Sequence, residues 1–370
     1  MNRAVKFFAI ATLVCAVLVN TPRAVHAAAR QQVAPTRASS QLVHVRVALS
    51  AFQDVVSIYI GIEEGFYRQE GIAVDIQHTD WPGSNQLLVG GHTDLDTTSD
   101  ADVALQNAQG NDTTLAFPLY FFAGGGLMYD PHRFTWTSYA TFLKKTHGNR
   151  KEALRRTLKQ AIGRKVGVSS GGAEYATFIG MIKFAGLPAK DFQIVNLSQE
   201  DLPPALLSGS IDIMIAGIPQ RLAVLKHGYA TLTDQTALPS TVAQCGYGAH
   251  RSWLNTHRAL AAKIQKVIFK TMAFIQEHPD QAFPIISRHL REAGTIEDAK
   301  DIQKIWDKME FFVHGKEWYQ KQVVNPRGQF YWKDRFEAVV RDLKSSGKIK
   351  GISVPIEDLN YGVQVVASVK

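Results

Sequence analysis

Apolar and polar positions alternate along residues 43–49 (VHVRVAL), the period of two of a half-buried strand. The spacing turns helical over 55–67 (VVSIYIGIEEGFY), where Val56, Tyr59, Ile60 and Glu63 share a face and Asp54 stands at the N-cap position. Gly65 suits the left-handed conformation that ends a helix. Alternation returns over 72–77 (IAVDIQ). Strand, helix, strand is the opening of an α/β lobe.

The same grammar recurs further on. Leu88–Asp94 and Leu206–Asp212 share the pattern L-x-x-G-x-x-D, each between a predicted helix and a predicted strand (LDTTS and IMIAG). The Gly closes the helix with positive φ and the Asp begins the turn. Two such units predict two lobes of similar build. The boundaries expected are lobe 1 over 42–133, lobe 2 over 134–237, and a return to lobe 1 over 238–370. Residues 137–163 predict a polar, Lys/Arg-rich helical segment broken at Gly148-Asn149. From Ser252 onward, Leu260, Ile264, Val267, Ile268, Thr271, Met272 and Ile275 form an apolar stripe, read as core packing rather than a cofactor box.

Residues 1–27 stand apart from this pattern. Arg3 and Lys6 precede an apolar run from Phe7 to Val19, and Val25-His26-Ala27 is a small-residue cleavage site. The run is shorter than the roughly 20 residues a membrane-spanning helix needs, so it reads as a secretory signal peptide and predicts export. Residues 28–41 read as a flexible leader. Cleavage removes Arg3, Lys6 and Arg23 and no acid, lowering the formal charge from +8 to +5. The remaining basic residues form no dense block, which argues against nucleic-acid binding. Cys245 is then the single cysteine, so no internal disulfide forms, and its apolar surroundings predict a buried, inert thiol.

The candidate chemistry centres on residues 164–186 (RKVGVSSGGAEYATFIGMIKFAG). Gly167-Val168-Ser169-Ser170-Gly171 formally matches G-x-S-x-G, the nucleophile elbow of serine hydrolases, and Gly124-Gly125-Gly126 could imitate an oxyanion loop. Asp212, His250, His289 and His314 lie downstream, but nothing around them marks a triad. The other reading is a helix N-terminus. There, free backbone N–H groups and two hydroxyls hold an anion or a carbonyl without reacting. Phe52-Gln53-Asp54, Trp81-Pro82-Gly83-Ser84-Asn85 and Thr98-Ser99-Asp100 occupy equivalent strand-to-helix loops, where open α/β sheets bind ligands. Tyr120-Phe121-Phe122 reads as core or hinge. The His residues show no metal-ligand spacing, and no P-loop or dinucleotide fingerprint occurs, so no cofactor is expected.

Residues 59–76 (YIGIEEGFYRQEGIAVDI), Leu88–Asp94, Gly163–Val168 (GRKVGV) and Leu202–Pro219 together resemble the solute-binding proteins of ABC transporters. The branch resembled is the nitrate/sulfonate/taurine and thiamine-precursor type, over most of residues 43–290. The resemblance implies a type II periplasmic binding fold: two α/β lobes joined by a hinge, with a ligand cleft between them. It also implies a monomer that captures a small organic anion, sulfonate- or carboxylate-like, and delivers it to membrane permease and ATPase subunits. The ligand contacts it implies are Phe52, Gln53, Tyr59, Trp81, Ser84, Ser99, Asp100, Ser169, Ser170, Gly171, Tyr175, Pro219 and Gln220, with Arg221 within reach. Residues 131–162 depart from the family by being longer and more helical. The alternatives are an exported esterase using Ser169, a same-fold thiamine-pyrimidine enzyme, and a sensor.

Overall fold

The computed structural model describes residues 42–170, 173–238, 242–295, 297–306 and 310–370. The signal peptide read at 1–27, the leader at 28–41 and the candidate contact Gly171 lie outside the described residues.

The chain begins with β1 (Val43–Leu49), α1 (Ile58–Glu63), α2 (Phe66–Gln69), β2 (Ile72–His78), α3 (Trp81–Val89), β3 (Asp96–Ser99), α4 (Asp100–Ala108) and β4 (Thr113–Phe122). A second group follows: β5 (Gly126–Tyr129), α5 (Tyr139–Lys145), α6 (Arg150–Lys159), β6 (Lys165–Val168), α7 (Ala173–Ala185), β7 (Gln193–Asn196), α8 (Leu202–Leu207), β8 (Ile213–Ala216), α9 (Ile218–Leu225) and β9 (Ala230–Asp234). The return comprises β10 (Ala243–His250), α10 (Arg251–Thr256), α11 (Arg258–Glu277), α12 (Pro279–Glu292), α13 (Ala299–Ile305), β11 (Glu310–Phe312), α14 (Lys316–Tyr319), α15 (Trp332–Ser345) and α16 (Gly362–Ser368).

The described strands form three sheets, and with β1-β2 joined to β3 by a single bridge the two lobes share one strand order. In the second lobe the order is β7-β6-β8-β5-β9, with β6 parallel to β7 and β8 and β5 antiparallel to both of its neighbours. In the first lobe β2 and β1 are parallel, and β1 reaches β3 through the Val47–Leu95 bridge. β10 then runs antiparallel between β3 and β4, and β11 adds to the outer edge of β4. In each lobe, therefore, the strand inserted between the third and the fourth is the one that has just crossed from the other lobe.

The L-x-x-G-x-x-D repeat has a structural equivalent in both lobes. Gly91 and Gly209 close their helices at φ 72° and 76°. Asp94 Oδ2 then accepts from the Arg46 amide of β1 at 2.9 Å, and Asp212 Oδ2 accepts from the Lys165 amide of β6 at 3.1 Å. The backbone answers in kind, with Asp94 N bonding to Arg46 O and Asp212 N to Lys165 O at 2.9 Å each. The Asp thus pins each helix-to-strand turn to the equivalent strand of its own lobe, β1 or β6.

β5 hydrogen-bonds to β8 and β9, so this strand lies in the second sheet, and the segment that joins it to β4 is Ala123-Gly124-Gly125, upstream of the boundary expected at residue 133. Leu127 and Tyr129 accordingly join the second core, with Leu154, Leu158, Val166 and Phe178. The helical departure at 131–162 contributes α5 and α6 to that same core through Tyr139, Leu154 and Leu158. Burial of each such leucine stabilises the lobe by about 1.5–3 kcal/mol.

The three glycines read as a possible oxyanion loop serve this crossing instead. A Cβ on Gly124 would stand 2.6 Å from Ile218 Cγ1, and one on Gly126 would stand 2.6 Å from Arg221 Cζ. Gly125 N donates to Gln235 Oε1 at 2.9 Å. Arg221 is buried and donates to the Gly124 carbonyl, which ties α9 to the hinge. Arg221, read from the sequence as within reach of a ligand, is engaged at this crossing instead.

Helix α11 carries the expected stripe, with Ile264, Val267, Ile268, Thr271, Met272 and Ile275 buried against the first core.

Candidate functional site

Strand-to-helix loops of both lobes converge on a cavity of about 100 Å³. From the first lobe come Phe52, Gln53 and Asp54 after β1, Trp81 and Pro82 opening α3, and Ser99 and Asp102 opening α4. Tyr120 and Phe122 of β4 and Cys245 of β10 form its floor. The second lobe supplies Ser169 after β6, Glu174 in the first turn of α7, Gln199 after β7, and Gly217 and Ile218 after β8.

Local sequence explains the positions. Asp54 accepts from Val55 N at 2.7 Å and opens the turn that leads into α1. Asp80 accepts from Gly83 N at 2.8 Å, starting α3 with Pro82 in its first turn and setting Trp81 at the rim. Ser99 and Asp102 form a capping box on α4. Asp102 Oδ2 also accepts from Trp81 Nε1 at 2.9 Å and from Ser99 Oγ at 2.6 Å, so one carboxylate fixes both neighbours. Phe52 meets Trp81 edge-on at 5.7 Å between ring centroids. On β4, alternation sends Tyr120 and Phe122 into the cavity and turns Phe121 away, where it stacks on Phe330 at 4.3 Å. Part of the aromatic cluster read as core or hinge is therefore cavity wall.

The electrostatics are one-sided. Asp54, Asp102 and Glu174 line the cavity, and none of the described lining residues is Lys, Arg or His. Burial pushes the Glu174 carboxyl above the usual range, and the Asp102 charge adds to the effect. Burial also raises Asp102, against the lowering effect of its bonds to Ser99 and Trp81. Glu174 accepts from the Gln199 side chain, whose own Oε1 is buried without a partner. Burial holds the Cys245 thiol well above its ordinary range, which keeps it protonated and unreactive.

Of the thirteen residues the family resemblance implied, Phe52, Gln53, Trp81, Ser99 and Ser169 line this cavity. Ser84 is fully buried and bonds to the Ala48 carbonyl and to Thr97, tying α3 to β1 and β3. Asp100 turns away from the cavity to accept from Arg335 Nε at 2.6 Å and from Gln244 N at 2.8 Å. Tyr59 stacks on His289 of α12 at 3.5 Å and bonds to His78. Ser170 is held by Asn196 through its amide and hydroxyl at 2.9 and 2.8 Å. Tyr175 faces a larger neighbouring cavity of about 430 Å³ between α7 and α15. Pro219 and Gln220 sit one step too far into α9, and Gly217 and Ile218 line the cavity in their place.

The residues a triad with Ser169 would need are engaged elsewhere. His250 donates to the Leu88 carbonyl at 2.8 Å, His289 pairs with Glu63 at 2.5 Å, and His314 bonds to Gln276 at 2.7 Å. Asp212 pairs with Arg133 at 3.1 Å. Among the described residues no group of three or more His, Cys, Asp or Glu could hold a metal ion. No described helix is long and apolar enough to cross a membrane.

Two lobes of one strand order, two crossings and a cavity lined from both sides define the periplasmic binding fold in its type II form. Solved structures of that fold agree. This chain is similar to a periplasmic sulfonate-binding protein, SsuA, from Methylobacillus flagellatus KT, at 15% identity and a TM-score of 0.65 over 88% of this chain and 94% of that one. The aliphatic sulphonate binding protein SsuA from Escherichia coli aligns at 16% identity and a TM-score of 0.62, over 86% and 91%. The nitrate-binding protein NrtA from Synechocystis PCC 6803 aligns at 14% identity and a TM-score of 0.57, over 86% and 91%. Residues 149–282 match the family model described as NMT1/THI5 like. No curated protein sequence matches this one significantly. The family resemblance read from the sequence agrees with these findings.

Proposed function

We propose that this chain is the exported solute-capturing component of an ABC importer, a carrier and not an enzyme. The observation that carries the reading is the cavity between the lobes, to which each lobe contributes its strand-to-helix loops. Such a site binds by closing, because a guest touching both halves stabilises the closed arrangement over the open one. The structural neighbours named as sulfonate- and nitrate-binding components support the reading through their shared fold. In this reading the protein works as a monomer in the periplasm, and permease and ATPase subunits receive the solute.

Thermal-shift and calorimetric screening tests it, with sulfonates, nitrate, carboxylates, pyrimidines and amines as probes. A binding solute at 100 times its Kd raises stability by about 2.7 kcal/mol. One class is expected to raise the melting temperature and to compact the protein in small-angle scattering. If no small solute stabilises the protein at large excess, solute capture is rejected. Hydrolysis of a model ester by wild type but not by Ser169→Ala would favour the esterase instead.

A further inference from the structure

The chemical class of the guest is written in the lining, and this inference rests on the solute-binding reading above. We infer that the cavity takes an organic cation: a protonated amine, amidine or nitrogen heterocycle on a compact apolar body. Three features of different origin converge on that class.

The first is charge. Asp54, Asp102 and Glu174 face the cavity with no basic side chain among its described lining residues. Asp54 and Asp102 already serve local backbone at the start of the α1 turn and of α4. Glu174, which accepts from its own backbone amide and from the Gln199 side chain, stands across the cavity from them on the second lobe. It is nine-tenths buried, and a buried carboxylate is costly unless it meets a partner of opposite charge.

The second is a surplus of acceptors. Gln199 gives its amide hydrogens toward Glu174 and leaves Oε1 buried and unpartnered. Glu174 Oε1 lies 3.5 Å from where a Gly217 Cβ would stand, beside the same cavity wall. Oxygen acceptors grouped in this way call for a guest rich in N–H donors. A sulfonate or nitrate, which only accepts, would face them without a hydrogen to offer.

The third is the wall. Phe52, Trp81, Tyr120 and Phe122 present aromatic surface from three separate segments of the first lobe. The Trp81 indole N–H is taken by Asp102, which fixes the ring in place. Aromatic rings attract a cation through their negative faces and bury the apolar body that carries it. A fixed ring at the mouth, with Glu174 opposite, clamps a protonated nitrogen from both lobes.

Five ring-sized probes separate the possibilities: benzamidinium, benzylammonium, benzamide, benzoate and benzenesulfonate, titrated calorimetrically into the purified protein. Benzamidinium and benzylammonium are expected to bind, neutral benzamide more weakly, and the two anions not at all. Glu174→Gln removes a buried charge, so folding is retained, and benzamidinium affinity is expected to fall about 10- to 100-fold, the range of one charge-assisted hydrogen bond. Asp102→Asn provides a second variant with a smaller expected loss. Equal or tighter binding of benzoate or benzenesulfonate would overturn the assignment and leave solute capture standing. Unchanged benzamidinium affinity in Glu174→Gln would overturn it as well. Binding of none of the five rejects the cation assignment, and the broader screen then judges solute capture on its own.

Discussion

Lys348, from the segment that follows α15, holds its ammonium 4.4 Å from the ring centroid of Tyr175 in α7 and donates to the Ser170 carbonyl at 3.2 Å. Lys183 of α7 reaches back to Ser345 at 3.0 Å. These contacts join the C-terminal part of the first lobe to the helix that carries Glu174 and lie outside the lining of the smaller cavity, so under the proposed solute capture they would favour the closed form. Lys348→Ala is expected to weaken solute binding by two- to fivefold. That corresponds to about 0.5–1 kcal/mol, the value of an exposed cation–π contact. The loss should appear as faster solute release, and free-state scattering should shift toward a larger radius. An unchanged off-rate would show that the contact does not stabilise the closed form.

A second clasp depends on pH. Lys226, the C-cap of α9, lies 3.8 Å from Glu297 and 3.3 Å from Asp301, on the loop and helix that follow α12. Burial pushes the Glu297 carboxyl up to about 7 despite the Lys226 charge. The unfolded chain releases this proton near 4.5. Between those two values the folded protein holds more protons than the unfolded one, so stability falls as pH rises through the window. Below 4.5 the penalty is absent, and above pH 7 it is complete, on the order of 3 kcal/mol. Glu297→Gln is therefore expected to raise the melting temperature at pH 8 and leave it nearly unchanged at pH 4.5. Denaturation curves at the two pH values check this; equal shifts at both would exclude the buried carboxyl as the cause.

Local signals in the sequence located the loops that build the site but not always the residue within each loop. Ser99 was legible as a helix start, and the neighbouring acid chosen was Asp100. The third residue of a helix, however, is the one whose side chain folds back to the cap, and S-x-x-D at Ser99–Asp102 carried that signal. In α7 the family resemblance points to the aromatic Tyr175, whereas the acid beside it, Glu174, reaches the cavity. Tyr120, Phe122 and Cys245 escaped for a different reason. They lie on β4 and β10, whose pairing joins residues more than a hundred positions apart, and no local period reports such a contact. The L-x-x-G-x-x-D repeat did foretell two lobes of one design, because its Asp does the same work on β1 and β6.

The hinge glycines give a prediction about stability. Gly126→Ala places a methyl 2.6 Å from Arg221 Cζ, and that guanidinium is buried and engaged with the Gly124 carbonyl. Relief requires either the arginine or the crossing strand to move. A loss of about 1–3 kcal/mol is expected in urea unfolding, the usual range for overpacking in a dense interior. Gly125→Ala, whose Cβ would stand 3.0 Å from Gln235 Oε1, 3.4 Å from Gln235 Cδ and 3.7 Å from Phe122 Cε1, should cost less. Equal stability of Gly126→Ala and wild type would show that the crossing is slack enough to accept a side chain.

Asp100 and Asp102 stand two residues apart and are expected to respond to mutation in opposite ways. Asp100 is fully buried and paired with Arg335, which is 16% exposed, so its removal takes the carboxylate partner from a largely buried cation. Breaking such a pair from one side costs roughly 3–5 kcal/mol. Asp100→Ala should therefore lower stability strongly while leaving solute selectivity intact in the folded fraction. Asp102→Asn keeps an oxygen acceptor for the Trp81 indole and the Ser99 cap, so it should fold nearly as well as wild type and alter binding. Urea midpoints and calorimetric titrations on the two variants separate the roles. A binding defect in Asp100→Ala with unchanged stability would reverse them and return Asp100 to the ligand site.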